Sequence, residues 1–157
     1  MVRALPSFPV EGGCQCGAVR YRITAAPLAV YSCYCKDCQR FSGTTHTLSM
    51  VIRAGDGAVV SGEMHAFDKL ADSGRTVRMM GCQTCGTRIW NVPLATPEYL
   101  VVKPGTLDDI SWIEPIGAIW TQSRAPWVAL DPAAPNFPGQ PPSRQPLIDA
   151  WQAAHRD

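Results

Sequence analysis

Seven cysteines confined to three short segments, Cys14-Gln15-Cys16, Cys33-Tyr34-Cys35-Lys36-Asp37-Cys38 and Cys82-Gln83-Thr84-Cys85, constrain this chain more than any other feature. An odd number of cysteines cannot be absorbed by a complete disulfide framework. The opening residues MVRALPSFPVEGG hold no apolar run long enough for a signal peptide, and no stretch approaches the ~20 apolar residues of a membrane span. A cytoplasmic protein is therefore expected. In a reducing compartment, clustered cysteines are metal ligands or redox groups rather than staples.

A zinc ion takes thiolates at ~2.3 Å in a tetrahedron, and two thiolates one or two residues apart share an ion only where the backbone curls around it. Glycine permits that curl, and Gly13, Gly17, Gly81 and Gly86 flank the outer two clusters. The middle cluster spans six residues, so Cys33, Cys35 and Cys38 can reach one ion together. The two remaining pairs, Cys14 with Cys16 and Cys82 with Cys85, then make a four-thiolate shell. A closed shell of four protein ligands is structural, whereas three ligands leave a fourth position open to exchange, the arrangement of catalytic zinc. Two zinc ions per chain are expected. His46, eight residues beyond Cys38, is an alternative fourth ligand that would close the inner site. His65 and His155 have no partner pattern. A lone C-x-x-C also serves as a thioredoxin-type redox pair, but that motif belongs beside a βαβ pattern, which this chain lacks.

Charge narrows the function classes. Fourteen Lys and Arg against 13 Asp and Glu leave no blanket positive field for a nucleic acid backbone or an acidic membrane surface. Seven thiolates around two zinc ions shift the formal +1 to about −2. Cations near the clusters should offset this. Lys36 and Arg40 are expected to do so for the inner site and Arg88 for the outer one.

A chain of 157 residues is the size of one domain and needs no disulfides to build a core. With 13 Gly, 14 Pro and short apolar stretches between turn residues, the pattern predicts a mainly β fold. Val19, Tyr21 and Ile23 alternate with Arg20, Arg22 and Thr24 as a half-buried strand does. Further strands are expected at 28–31, 48–52, 59–61, 76–80, 87–90, 99–103 and 116–120. A turn or two of helix is expected over 35–41. Six of the sixteen residues from Asp131 to Pro146 are proline, which predicts an extended strap over the surface. Leu147, Ile148 and Trp151 predict a short amphipathic helix after it.

The segments Gly12-Gly13-Cys14-Gln15-Cys16-Gly17, Cys33-Tyr34-Cys35-Lys36-Asp37-Cys38-Gln39-Arg40-Phe41, Gly81-Cys82-Gln83-Thr84-Cys85-Gly86, Gly105-Thr106-Leu107-Asp108-Asp109 and Trp120-Thr121-Gln122-Ser123-Arg124 together resemble the glutathione-dependent formaldehyde-activating enzyme (GFA) family, whose domain is shared with centromere protein V. The resemblance implies an Mss4-like fold of small antiparallel sheets organised around zinc. It divides the chain into an N-terminal extension (1–11), a GFA-type zinc domain (12–131), and a Pro-rich strap with a C-terminal helix packed on the same domain (132–157). It implies a structural zinc on Cys14, Cys16, Cys82 and Cys85 and a catalytic zinc on Cys33, Cys35 and Cys38, in agreement with the partition from spacing. The activity implied is addition of a thiol, glutathione, to formaldehyde or a related small aldehyde, formally a carbon-sulfur lyase reaction run in reverse. Lys36 and Arg40 are candidates to attract glutathione carboxylates and Trp120 to wall the pocket. A non-catalytic zinc module for protein binding and a zinc-bearing methionine sulfoxide reductase are the alternatives. The first lacks a charge run here to support it.

Overall fold

The computed structural model describes residues 3–156; positions 1–2 of the expected N-terminal extension and position 157 of the C-terminal segment lie outside the described residues. Strand β1 (Val10–Gly13) turns through the first cysteine cluster into β2 (Arg20–Ile23), where Tyr21 and Ile23 are buried and Arg22 is exposed, as the alternation requires. The fully buried β3 (Ala29–Cys33) delivers the second cluster to a short helix, α1 (Lys36–Ser42), and β4 (Thr47–Arg53) returns antiparallel to β3. Then come β5 (Gly57–Ser61), β6 (Met64–Leu70), β7 (Thr76–Cys82), β8 (Arg88–Pro93), β9 (Tyr99–Val102) and the two-residue β10 (Ala118–Ile119). The last element is helix α2 (Gln145–Ala154).

The strands form a three-stranded sheet in the order β1-β2-β5 and a seven-stranded sheet in the order β10-β3-β4-β9-β8-β7-β6. Every pairing is antiparallel except that of β10 with β3. The mainly β prediction is met. Tyr21 joins the two sheets: its ring meets Trp90 edge to face with centroids 5.7 Å apart, and its hydroxyl hydrogen-bonds the Thr106 hydroxyl at 2.8 Å. Ile23, Met50, Ile52 and Val102 complete this fully buried layer.

Because strand side chains alternate between faces, the residues flanking those core positions face the other side of the large sheet. Tyr31 and Cys33 of β3, Val77 and Met79 of β7, and Val101 with the following Lys103 all line one cavity there. The sheet thus has one face given to the core and one to a pocket.

The proline-rich segment runs alongside β10 and occupies what would otherwise be the free edge of the large sheet. Phe137 N–H donates to Ala118 O at 2.9 Å, Ala118 N–H to Pro135 O at 3.1 Å and Trp120 N–H to Gly139 O at 3.2 Å. It leads into α2, which packs on β3. Leu147 and Trp151, one helical turn apart, are the buried residues of α2. Leu147 is fully buried, so Leu147→Ala is expected to cost about 2–5 kcal/mol, read as a lowered urea midpoint at unchanged slope.

Candidate metal centres

Two hairpin turns, each closed by a cysteine N–H bonded to the carbonyl five residues on, carry the outer cysteines. In the β1–β2 turn Cys14 N–H donates to Val19 O and Gly17 N–H to Cys14 O, both at 3.0 Å. In the β7–β8 turn Cys82 N–H donates to Thr87 O and Gly86 N–H to Cys82 O, both at 2.9 Å. Gly17 (φ 79°) and Gly86 (φ 73°) sit in the left-handed region that favours glycine, which explains their place after each cysteine pair. Backbone N–H groups point at sulfur: Val19 donates to Cys14 Sγ at 3.1 Å and Cys85 to Cys82 Sγ at 3.5 Å.

These turns bring Cys14, Cys16, Cys82 and Cys85 together with all four sulfurs within 4.8 Å of one another. Cys14 and Cys16 lie 3.5 Å apart and Cys16 and Cys82 3.8 Å, far beyond an S–S bond and close to the spacing of about 3.8 Å that a tetrahedron with ~2.3 Å bonds requires. The set can hold a metal ion and links the small sheet to the large one.

Cys33, Cys35 and Cys38 form the second group, also within 4.8 Å of one another. Cys33 ends β3, and Cys35 is the N-cap of α1, its sulfur accepting the Cys38 N–H at 3.3 Å. Three sulfurs this close do not share negative charge readily. Hydrogen bonds to Cys35 and Cys38, together with burial, push the Cys33 thiol far up, while hydrogen bonds from Cys33 and Cys35 hold Cys38 far below its ordinary value. Burial and mutual repulsion oppose a second and third thiolate here, and a bound cation would offset both. In the outer group too Cys85 falls to about 5, helped first by the Thr87 hydroxyl, while Cys16 rises to about 12 beside Cys14 and Cys85. The donor sets fit a thiophilic divalent ion.

The inner triad sits in the wall of a cavity of about 140 Å³, and the outer set does not. Phe41 and Trp120 also wall this cavity. Trp120 holds φ 57°, the one left-handed non-glycine among the described residues, and its indole N–H reaches Gln140 Oε1 at 3.4 Å. Lys103 is 8% exposed, and its ammonium is buried without a hydrogen-bond partner among the described residues. Burial pushes Lys103 down from its ordinary value and the charges of Cys38, Cys33 and Cys35 pull it back up. Arg88 lies in the same cavity with its guanidinium 5.6 Å from the Phe41 ring centre, and burial lowers it while the same three sulfurs oppose the shift.

Lys36 and Arg40, the cations expected beside the triad, do not line its cavity, whereas Lys103 and Arg88 do. Asp37, Cys38 and Phe41 are the α1 residues that line the cavity, and Lys36 and Arg40 are exposed outside it. Lys36 instead donates to Gln39 Oε1 at 3.2 Å. Arg88 was expected at the outer set because Cys85 is near in sequence, but strand alternation turns it toward the inner one. His46 belongs to neither group; its ring stacks on Tyr34 at 5.0 Å and its Nδ1 bonds the Thr45 hydroxyl at 3.1 Å. Lys103 escaped the sequence reading, although an apolar strand ending in lysine, Leu-Val-Val-Lys, was its signal.

The family model described as glutathione-dependent formaldehyde-activating enzyme matches residues 9–123, which carry all seven cysteines. The chain belongs to that family. A protein of Halomonas elongata named "Putative glutathione-dependent formaldehyde-activating enzyme" is 29% identical over 98 residues. That alignment covers 58% of this family member and 60% of the Halomonas protein, so the match spans less than two thirds of its relative. A crystal structure of a Rhodobacter sphaeroides protein is similar in fold, with a TM-score of 0.52 and 22% identity over 64% of this chain and 90% of that one. Among the described residues of this glutathione-dependent formaldehyde-activating family member, no helix is long and apolar enough to cross a membrane.

Proposed function

We propose that the chain is a zinc-dependent enzyme of the carbon-sulfur lyase type that adds a thiol such as glutathione to formaldehyde or a related small aldehyde. Zinc would be held by Cys14, Cys16, Cys82 and Cys85 as a structural ion and by Cys33, Cys35 and Cys38 as the working one. The observation that carries this reading is the asymmetry between the two clusters: four sulfurs form a closed set at a sheet junction, while three sulfurs face a cavity. Bound by the triad, zinc would lower the pKa of a thiol presented to it and could polarise a carbonyl oxygen.

The residues around the triad suit that chemistry. Three thiolates and one divalent ion carry a single negative charge, and the cations of Lys103 and Arg88 more than cancel it. An anionic fourth partner, a thiolate, is what the remaining charge favours. In the reaction the thiolate sulfur forms a bond to the carbonyl carbon, and the C=O π pair moves to oxygen, which takes up a proton from solvent. The Lys103 ammonium, lacking a partner in the fold, is the donor available to that developing oxyanion. Lys103→Met is expected to lower kcat/KM by about 10²-fold with the zinc content unchanged.

The reaction is tested by NMR exchange between free ¹³C-formaldehyde and its glutathione hemithioacetal. Exchange faster than the spontaneous background, scaling with protein concentration, supports the enzyme. Background rates with several thiols and aldehydes would instead favour a zinc module that binds protein.

A further inference from the structure

Beyond the triad the cavity continues into a second one of about 460 Å³; the two share Arg75, Ala95, Thr96, Gln140 and Arg144. Gln140 and Arg144 come from the strap and its junction with α2, past the family match at residues 9–123. This outer wall is thus a feature that the family assignment does not supply.

Arg144 has hydrogen-bonding capacity to spare. Its guanidinium lies 5.7 Å from the Tyr99 ring centre, Nη1 makes a long 3.4 Å hydrogen bond to Thr96 Oγ1, and its charge also acts on the buried Tyr31 hydroxyl in the wall of the same cavity. Its Nε is buried with no partner. No carboxylate pairs with it among the described residues, although Glu98 lines the same outer cavity. Arg75 lines both cavities and, among the described residues, makes no ion pair either. At the inner end Lys103 Nζ and Asn91 Oδ1 are likewise buried and unpartnered. Arg144 is half-buried, and an N–H buried without a partner leaves hydrogen-bonding capacity unmet at a cost; a planar carboxylate is the partner a guanidinium fork fits best.

We infer that Arg144, flanked by Arg75 and Thr96, seats a carboxylate of the thiol substrate, so that this chain selects thiols with an anionic tail. The thiol end then faces the triad, and the peptide carboxylate lies toward the strap. This rests on the reaction proposed above, but the seat itself is a binding site and is measurable without turnover.

Isothermal titration of the zinc-loaded protein with S-methylglutathione, whose sulfur cannot ionise, and with its dimethyl ester tests the seat. Wild type is expected to bind the acid at least about 10-fold more tightly than the ester, Arg144→Ala to lose that preference, and Arg144→Lys to recover part of it. Zinc content and far-UV circular dichroism show whether the variants stay folded. Equal behaviour of acid and ester with wild type, whether both bind or neither does, overturns the proposal, as does a preference that survives in Arg144→Ala. In kinetics the KM for glutathione should rise about 10-fold or more in Arg144→Ala at unchanged kcat, with 2-mercaptoethanol unaffected. Acid preference without any turnover would remove the proposed reaction and leave the seat; wild-type turnover of glutathione and 2-mercaptoethanol with equal KM would do the reverse.

Discussion

Replacing Cys35 by serine is expected to abolish catalysis and lower the zinc content from two ions per chain to one while leaving the fold intact. The three consequences separate because Cys35 has two roles. As a ligand it contributes one of only three sulfurs, and its loss leaves Cys33 and Cys38 to hold the ion alone. As the N-cap of α1 it accepts the Cys38 N–H, and serine is among the best residues for that task. Helix α1 should therefore survive. Loss of several kcal/mol of transition-state stabilisation corresponds to about 10³-fold or more in kcat/KM. Metal analysis, circular dichroism and the NMR exchange measurement read the three outcomes independently. A Cys35→Ser protein that keeps two zinc ions and full activity would exclude the triad as the working site.

Cys82→Ser is expected to act on the fold rather than on the chemistry alone. Cys82 is 3% exposed and belongs to the set that ties the β1–β2 turn to the β7–β8 turn. The zinc affinity of such a shell, about 10–16 kcal/mol in apparent terms, is comparable to the whole stability of a domain, about 5–15 kcal/mol. The ties that remain between the sheets are the buried layer around Tyr21 and Ile23, the Tyr21–Thr106 hydrogen bond, the Asp108 N–H bond to Glu11 O and the half-exposed Arg20–Asp108 ion pair. Losing even 5 kcal/mol would lower Tm by about 10–20 °C in a chain of this length. The expected result is a protein that melts far below wild type or fails to accumulate, in contrast to Cys35→Ser. A Cys82→Ser variant with a wild-type melting curve would show that the outer set does not support the fold.

Much of this architecture was legible from local chemistry. The partition of the cysteines followed from spacing alone, because ligands one or two residues apart are fixed by the turn that carries them, and both groups assemble as the spacing required. The alternation around Tyr21 and Ile23, the strap and the Leu147–Trp151 helix face were equally local signals. Strand β6 was not. Its residues Met64–Leu70 are mostly exposed on both faces, so no burial pattern marks them, and only pairing with β7 makes them a strand. Strand β1 was hidden for a similar reason, since Val10-Glu11-Gly12-Gly13 has little side-chain signal and is held by its register with β2.

The cavity was the least legible part. Arg88 and Asn91 of β8, Lys103 after β9 and Arg144 before α2 are far apart in sequence as three groups and meet only because one face of the large sheet is left uncovered. Lys36 and Arg40 looked suitable because they neighbour Cys38 in sequence, but helical periodicity turns them away from it.

The central claim is that the triad binds an ion on three sides and leaves a fourth for the substrate sulfur. Cobalt(II) replacing both zinc ions tests it most directly, since thiolate-to-cobalt charge-transfer absorbance scales with the number of sulfurs bound. The expected result is two cobalt ions per folded chain, and on adding glutathione a rise in that absorbance by about one part in seven, as one further sulfur joins the seven of the protein. A folded protein that holds only one ion, or one whose spectrum does not change with any thiol, would contradict it.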